Sequence, residues 1–138
     1  MISLTTRRRI AAPIDRVFEA WTQPALLRLW WGPADVRCIV AEIDLRPGGS
    51  YRLGNEHLDG SVTWIAGTFE VIEPPHRLVY SWRIGDEPTS RVTITLAPAG
   101  DRATDVEVHH EQIATTAERD GHERGWIGCL DKLEAWAR

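Results

Sequence analysis

From Val36 to Glu111 the chain is a run of short strand-patterned segments, separated by turn signals too brief to hold a crossover, and this feature decides the architecture. The punctuation is Pro47-Gly48-Gly49, Asp59-Gly60, Glu73-Pro74-Pro75, Gly85-Asp86-Glu87-Pro88 and Pro98-Ala99-Gly100-Asp101. Between these signals lie Arg37 to Leu45, Tyr51 to Glu56, Ser61 to Ile72, Arg77 to Ile84, Arg91 to Leu96 and Thr104 to Glu111. Parallel neighbours need connections of about a dozen residues or more, so six strands joined this way predict an antiparallel meander. Such a sheet buries one face, and another element must cover it.

The covering element is the C-terminal segment. Thr115 with Glu118 is a capping-box pattern, after which His122, Trp126, Cys129, Leu130, Leu133 and Trp136 gather on one side at helical spacing. A helix from Thr116 to Arg138, rising about 1.5 Å per residue, reaches across the whole sheet. Gly125 in its middle costs about 0.5–1 kcal/mol relative to alanine, which predicts that the helix backbone there approaches the sheet or a ring too closely for a Cβ. At the other end Ile2, Leu4, Thr6, Arg8 and Ile10 alternate with Ser3, Thr5, Arg7 and Arg9 as in a half-buried strand. Pro13 then suits the first position of a short helix carrying Ile14, Val17, Phe18 and Trp21. Pro24 opens a second one carrying Leu26, Leu27, Leu29, Trp30 and Trp31, stopped by Gly32-Pro33. The expected fold is α+β: a strand, two short helices, a curved six-stranded meander completing a seven-stranded sheet, and a long helix packed across it.

With 138 residues, 43% hydrophobic and 26% charged, the chain reads as one soluble globular domain spanning residues 1–138. The net charge of -4 argues against nucleic acid or an anionic membrane as partner. The one basic run, Arg7-Arg8-Arg9, lies in an alternating strand that sends its members to opposite faces. Cys38 and Cys129 are far apart, and Met1-Ile2-Ser3-Leu4-Thr5 lacks the apolar core of a secretory leader, so a cytoplasmic protein with free, buried thiols is expected. No apolar run approaches the roughly 18 residues that span a bilayer.

His110 and His122 are the candidate catalytic residues. His110 continues the face of Val106 and Val108, His122 lies one helical turn before Trp126, and both phases point between sheet and helix. A histidine there can orient a ligand hydroxyl or carboxylate, act as a general base, or simply be a satisfied core residue. The candidate ligand-binding set adds Trp31, Tyr51, Trp64, Tyr80, Trp82 and Trp126 to the two histidines. Core packing alone accounts for any single one of these rings, but seven tryptophans exceed what a core of this size requires. No metal site is expected, because adjacent strand residues such as His109 and His110 face opposite ways. No cofactor is expected either, since Gly48-Gly49 and Gly121-x-x-x-Gly125 lack the pattern of a phosphate loop. A nucleophile elbow is missing from the sequence. Arg8 has either a solvated or ion-paired position or a reach to Glu42, Asp44 or a ligand acid, and Asp44 with Arg46 reads as turn stabilisation.

Taken together, Ala12-Pro13, Trp30-Trp31-Gly32-Pro33, Asp44-Leu45-Arg46-Pro47-Gly48-Gly49, Pro74-Pro75-His76-Arg77-Leu78, Thr104-x-Val106-x-Val108-x-His110 and Gly125-Trp126 resemble the START-like helix-grip superfamily. Within its polyketide cyclase, dehydrase and lipid-transport group, the chain is most similar to bacterial homologues of the activator of heat-shock-protein ATPase. The resemblance implies a cavity between sheet and long helix, used across the superfamily for hydrophobic ligands, and leaves the activity open. Three readings follow: binding of a small, largely hydrophobic molecule; a cyclase, dehydrase or hydrolase using a pocket histidine as general base; and a chaperone-activator-like protein-binding module. The first is preferred, because no acid, nucleophile or metal site accompanies the histidines. A chaperone partner is not expected, for want of a separate binding module, and self-association as a homodimer stays open.

Overall fold

The computed structural model describes residues 2–138. Its elements are β1 (Ile2–Ile10), α1 (Ile14–Thr22), α2 (Pro24–Trp30), β2 (Arg37–Ile43), β3 (Ser50–Glu56), β4 (Val62–Glu73), β5 (Arg77–Ile84), β6 (Ser90–Pro98), β7 (Thr104–Ile113) and α3 (Thr116–Ala137). The strands form one seven-stranded antiparallel sheet in the order β1-β7-β6-β5-β4-β3-β2. The meander runs β2 to β7, and β1 closes it by pairing Arg8 with Val106 and Thr6 with Val108. This is the α+β helix-grip arrangement expected from the turn signals.

Each helix begins where local chemistry directs. Pro13 stands just before α1 as an extended N-cap, one position earlier than expected, whereas Pro24 does occupy the first turn of α2. Thr115 Oγ1 accepts the backbone N–H of Glu118 at 3.1 Å, which satisfies one of the free donors at the start of α3. Trp126, Cys129, Leu130 and Leu133 face inward from α3 and are buried. They meet Leu4 and Ile10 of β1, Val92 and Ile94 of β6, and Val106 and Val108 of β7 in a single apolar cluster. Side chains of this kind contribute about 1.5–3 kcal/mol each when fully buried.

One expectation about packing is corrected, and of the readings open for Arg8 the ion pair is the one observed. A Cβ on Gly125 would meet nothing within 4 Å; the close approach of α3 is at Gly128, whose Cβ would lie 3.0 Å from Pro33 Cα and 3.2 Å from Ala34 N. The helix therefore rests on the loop after α2 rather than on the sheet at residue 125. Arg8 does not reach Glu42 or Asp44, because β1 and β2 lie at opposite edges of the sheet. Its guanidinium instead contacts Asp131 at 2.7 Å and Glu134 at 3.4 Å, tying β1 to α3. Asp44 and Arg46 bond to each other at 2.8 Å in the turn.

Candidate functional site

Five tryptophans, from four separate segments of the chain, form a continuous cluster under the N-terminal half of α3. Trp21 packs on Trp30 and Trp126, Trp30 on Trp31, and Trp31 on Trp82 and Trp126, with ring centroids 4.9–6.4 Å apart. Trp82 continues the cluster to His110 at 5.4 Å and His122 at 6.1 Å, and the two imidazoles lie 4.6 Å from one another. Edge-on and offset contacts of this sort add about 0.5–1.5 kcal/mol per pair beyond area burial.

The two histidines differ in what their nitrogens do. His110 is fully buried. Its Nδ1 accepts the indole N–H of Trp126 at 3.1 Å, so the proton of the neutral ring sits on Nε2 and is donated to Ser90 Oγ at 2.7 Å. Ser90 passes its own proton to the carbonyl of Trp82 at 3.4 Å. Burial is the main cause that lowers the His110 pKa to about 3, and the neighbouring His122 and His109 add to it. Trp126 makes protonation harder still, because a cationic ring would turn an N–H against an N–H. His110 is a neutral, satisfied imidazole with no lone pair left for a substrate. His122 is one-tenth exposed, and its Nε2 lies 3.1 Å from Oε1 of Glu87 in the β5–β6 loop. That oxygen is buried yet lacks an aligned hydrogen bond.

Trp31 and Trp82 together line two spaces. The inner one, about 20 Å³, is walled by Trp21, Leu27, Tyr51, Phe69 and Tyr80 among others. It has room for about one water molecule. The outer one is a cleft of about 160 Å³ between α3, the loop after α2, and strands β3 to β5. Gly121, His122, Gly125, Trp126 and Cys129 line it from the helix, Asn55, His57, Thr63 and Ile65 from β3, β4 and their connecting turn. The bare Cα atoms of Gly121 and Gly125 are what keep this wall open.

Buried side-chain polar atoms without a hydrogen-bond partner are four among the described residues: Trp31 Nε1, Trp82 Nε1, Asn55 Oδ1 and Glu87 Oε1. Three belong to residues lining the outer cleft, and the fourth faces His122, which also lines it. Each such atom costs about 1–3 kcal/mol if it stays unpaired. Cys129, at the same wall, is an inert thiol, because complete burial pushes its pKa up to about 12.

The structure thus brings Trp31, Trp82, His122 and Trp126 to the outer cleft and Trp31, Tyr51, Tyr80 and Trp82 to the inner space. His110 lies behind them and lines neither. Trp64 stands on the other face of β4 from Thr63 and Ile65, covering Gly54 with Arg52 stacked on its ring at 4.4 Å. Its phase is set by strand alternation, which sends odd-numbered residues there to the cleft. Asn55 escaped the sequence reading although it continues the alternation Tyr51, Leu53. Glu87 carries no periodic signal at all, since it sits in a loop.

A family model for the Activator of Hsp90 ATPase homolog 1-like protein matches residues 11–138. Among solved structures, the chain is similar to protein CV1439 from Chromobacterium violaceum, with 28% identity over 99% of this chain and 98% of that one and a TM-score of 0.88. It is similar to CalU16 from Micromonospora echinospora at 30% identity, covering 95% and 73% of the two chains with a TM-score of 0.74. The AHSA1 protein SPO3351 from Silicibacter pomeroyi shares the fold, with a TM-score of 0.85 over 97% and 96% of the chains at 23% identity. A comparison with curated proteins finds no match. The chain belongs to the family of Activator of Hsp90 ATPase homolog 1-like proteins.

Proposed function

We propose that this family member binds a small, largely hydrophobic molecule in the outer cleft between α3 and strands β3 to β5. The observation that carries the reading is the coincidence of that cleft with three unpartnered buried polar atoms, on Trp31, Trp82 and Asn55, while a fourth, Glu87 Oε1, faces His122 of the cleft wall. Aromatic walls supply apolar contact, and a few unpaired donors and acceptors supply orientation, which is how small-molecule sites are generally built. At about 160 Å³ the cleft is below the roughly 300–1,000 Å³ of drug-sized sites, so it suits a molecule of one or two rings. Large exposed apolar residues, Leu29, Leu45, Leu58, Trp64 and Ile127, are spread over five different segments. That spread favours a pocket over a protein-docking face.

The test is a fluorescence titration with two-ring probes, 1-naphthol and 2-naphthol. Wild type is expected to give saturable binding, and Gly125→Leu, which enters the cleft from a helix position where a Cβ meets nothing within 4 Å, is expected to weaken it at least tenfold. Equal binding by a folded Gly125→Leu protein overturns the location.

A further inference from the structure

We propose that the Glu87–His122 pair equips the cleft to take the proton of a bound hydroxyl compound, so that the ligand class is a weakly acidic phenol or enol. The inference rests on the binding reading above and adds a chemistry to it.

The geometry has the parts of a carboxylate-oriented base. Glu87 Oε1 is buried, has no other partner among the described residues, and lies 3.1 Å from His122 Nε2. A carboxylate at that nitrogen favours the tautomer with its proton on Nε2, as in other carboxylate–imidazole pairs, and leaves Nδ1 as a lone-pair acceptor. The off-axis alignment of the contact is of the kind that tightens once a substrate is in place. Among the described residues no protein group bonds to Nδ1, and the His122 ring forms part of the cleft wall. Packing of the ring on Trp82 and His110, at 6.1 Å and 4.6 Å between centroids, holds its plane. Glu87 acts through His122 and is a positioning residue.

The proton balance is simple. The ligand O–H bond breaks, its electron pair stays on oxygen, and the proton forms a new N–H bond at His122 Nδ1. The imidazolium is then stabilised by the Glu87 carboxylate. The indole N–H groups of Trp31 and Trp82, which find no acceptor among the described residues, sit on residues of the same cleft and are suited to an oxyanion. The other titratable groups facing the pair are His110 beneath it on β7 and His57 across the cleft, the latter bonded to Thr63 at 2.6 Å. His110 cannot substitute for His122, because both its nitrogens are engaged.

The experiment uses 4-nitrophenol, whose ionised form has its own absorption band, beside 4-nitroanisole, which has the same ring and no hydroxyl proton. At a pH one unit below the free phenol's own pKa, wild type is expected to raise the ionised fraction of bound 4-nitrophenol about tenfold in equilibrium constant, one pKa unit. His122→Gln is expected to abolish that rise, read from the spectrum of the bound phenol at saturation whatever the variant's affinity, and Glu87→Gln to reduce it. If wild type binds both compounds and the phenol stays neutral, or if folded His122→Gln ionises it equally, the proton-acceptor assignment is wrong and the binding reading stands. If wild type binds neither compound, both fall.

Discussion

Nδ1 of His110 on β7 accepts the indole N–H of Trp126 on α3 at 3.1 Å, and this bond separates the two stacked histidines by role. It consumes the one lone pair of His110 and locks helix to sheet. His122, 4.6 Å away between ring centroids, lines the cleft.

The first prediction concerns pH. The folded-state pKa of His110 is near 3 and the unfolded value near 6.5, so below pH 6.5 the unfolded chain takes up a proton that the folded protein refuses. Stability contributed by the neutral ring is complete above pH 6.5 and is lost as the pH falls toward 3, on the order of 4–5 kcal/mol in all at 1.36 kcal/mol per pKa unit. Urea unfolding of wild type and His110→Gln between pH 7 and pH 4 checks this. The amide can accept from Trp126 and donate to Ser90 without titrating, so the wild type is expected to lose more stability on acidification than the variant. Asp59 and Asp105, whose carboxyls Ser61 and Arg9 hold below their ordinary range, lose their contributions only at still lower pH.

Trp126→Phe keeps an aromatic ring under α3 but leaves Nδ1 of His110 buried without a donor. A loss of about 1–3 kcal/mol is expected for the orphaned acceptor alone. In a double-mutant cycle with His110→Phe, a coupling energy above about 0.5 kcal/mol is expected, and strict additivity contradicts the bond's importance.

Gly125 and Gly128 of α3 are expected to respond in opposite directions to alanine. Gly125→Ala meets open space and gains helix propensity of about 0.5–1 kcal/mol, raising the melting temperature by a few degrees. Gly128→Ala drives a methyl against Pro33 and Ala34 and is expected to cost about 1–3 kcal/mol. Differential scanning calorimetry of both variants is sufficient.

Much of the fold was legible because it rests on short-range rules. Turn signals too brief for crossovers give antiparallel order, and Thr115-x-x-Glu118 marks the start of α3. The cleft was legible only as far as periodicity carries. Trp31, Trp82, His122 and Trp126 could be placed by phase, whereas Trp64 has the right composition and the wrong phase. Asn55 shares the face of Tyr51 and Leu53, and its polarity hid it. The Glu87 contact depends on how the β5–β6 loop folds over α3, and no local pattern encodes that. The Gly125 expectation failed, and the partners of the Arg8 ion pair stayed unnamed, for the same reason, since both questions turn on which distant segment lies opposite.

The central claim is that the cleft beside Trp31 and Trp82 takes a small apolar ligand, and the indole N–H groups report it directly. In a ¹H–¹⁵N correlation spectrum assigned by single tryptophan-to-phenylalanine variants, 1-naphthol is titrated to saturation. The account predicts saturable shifts of the Trp31 and Trp82 indole signals, with Trp64 and Trp136 unmoved. Shifts confined to Trp64 or Trp136, or no saturable shift at Trp31 and Trp82, contradict it.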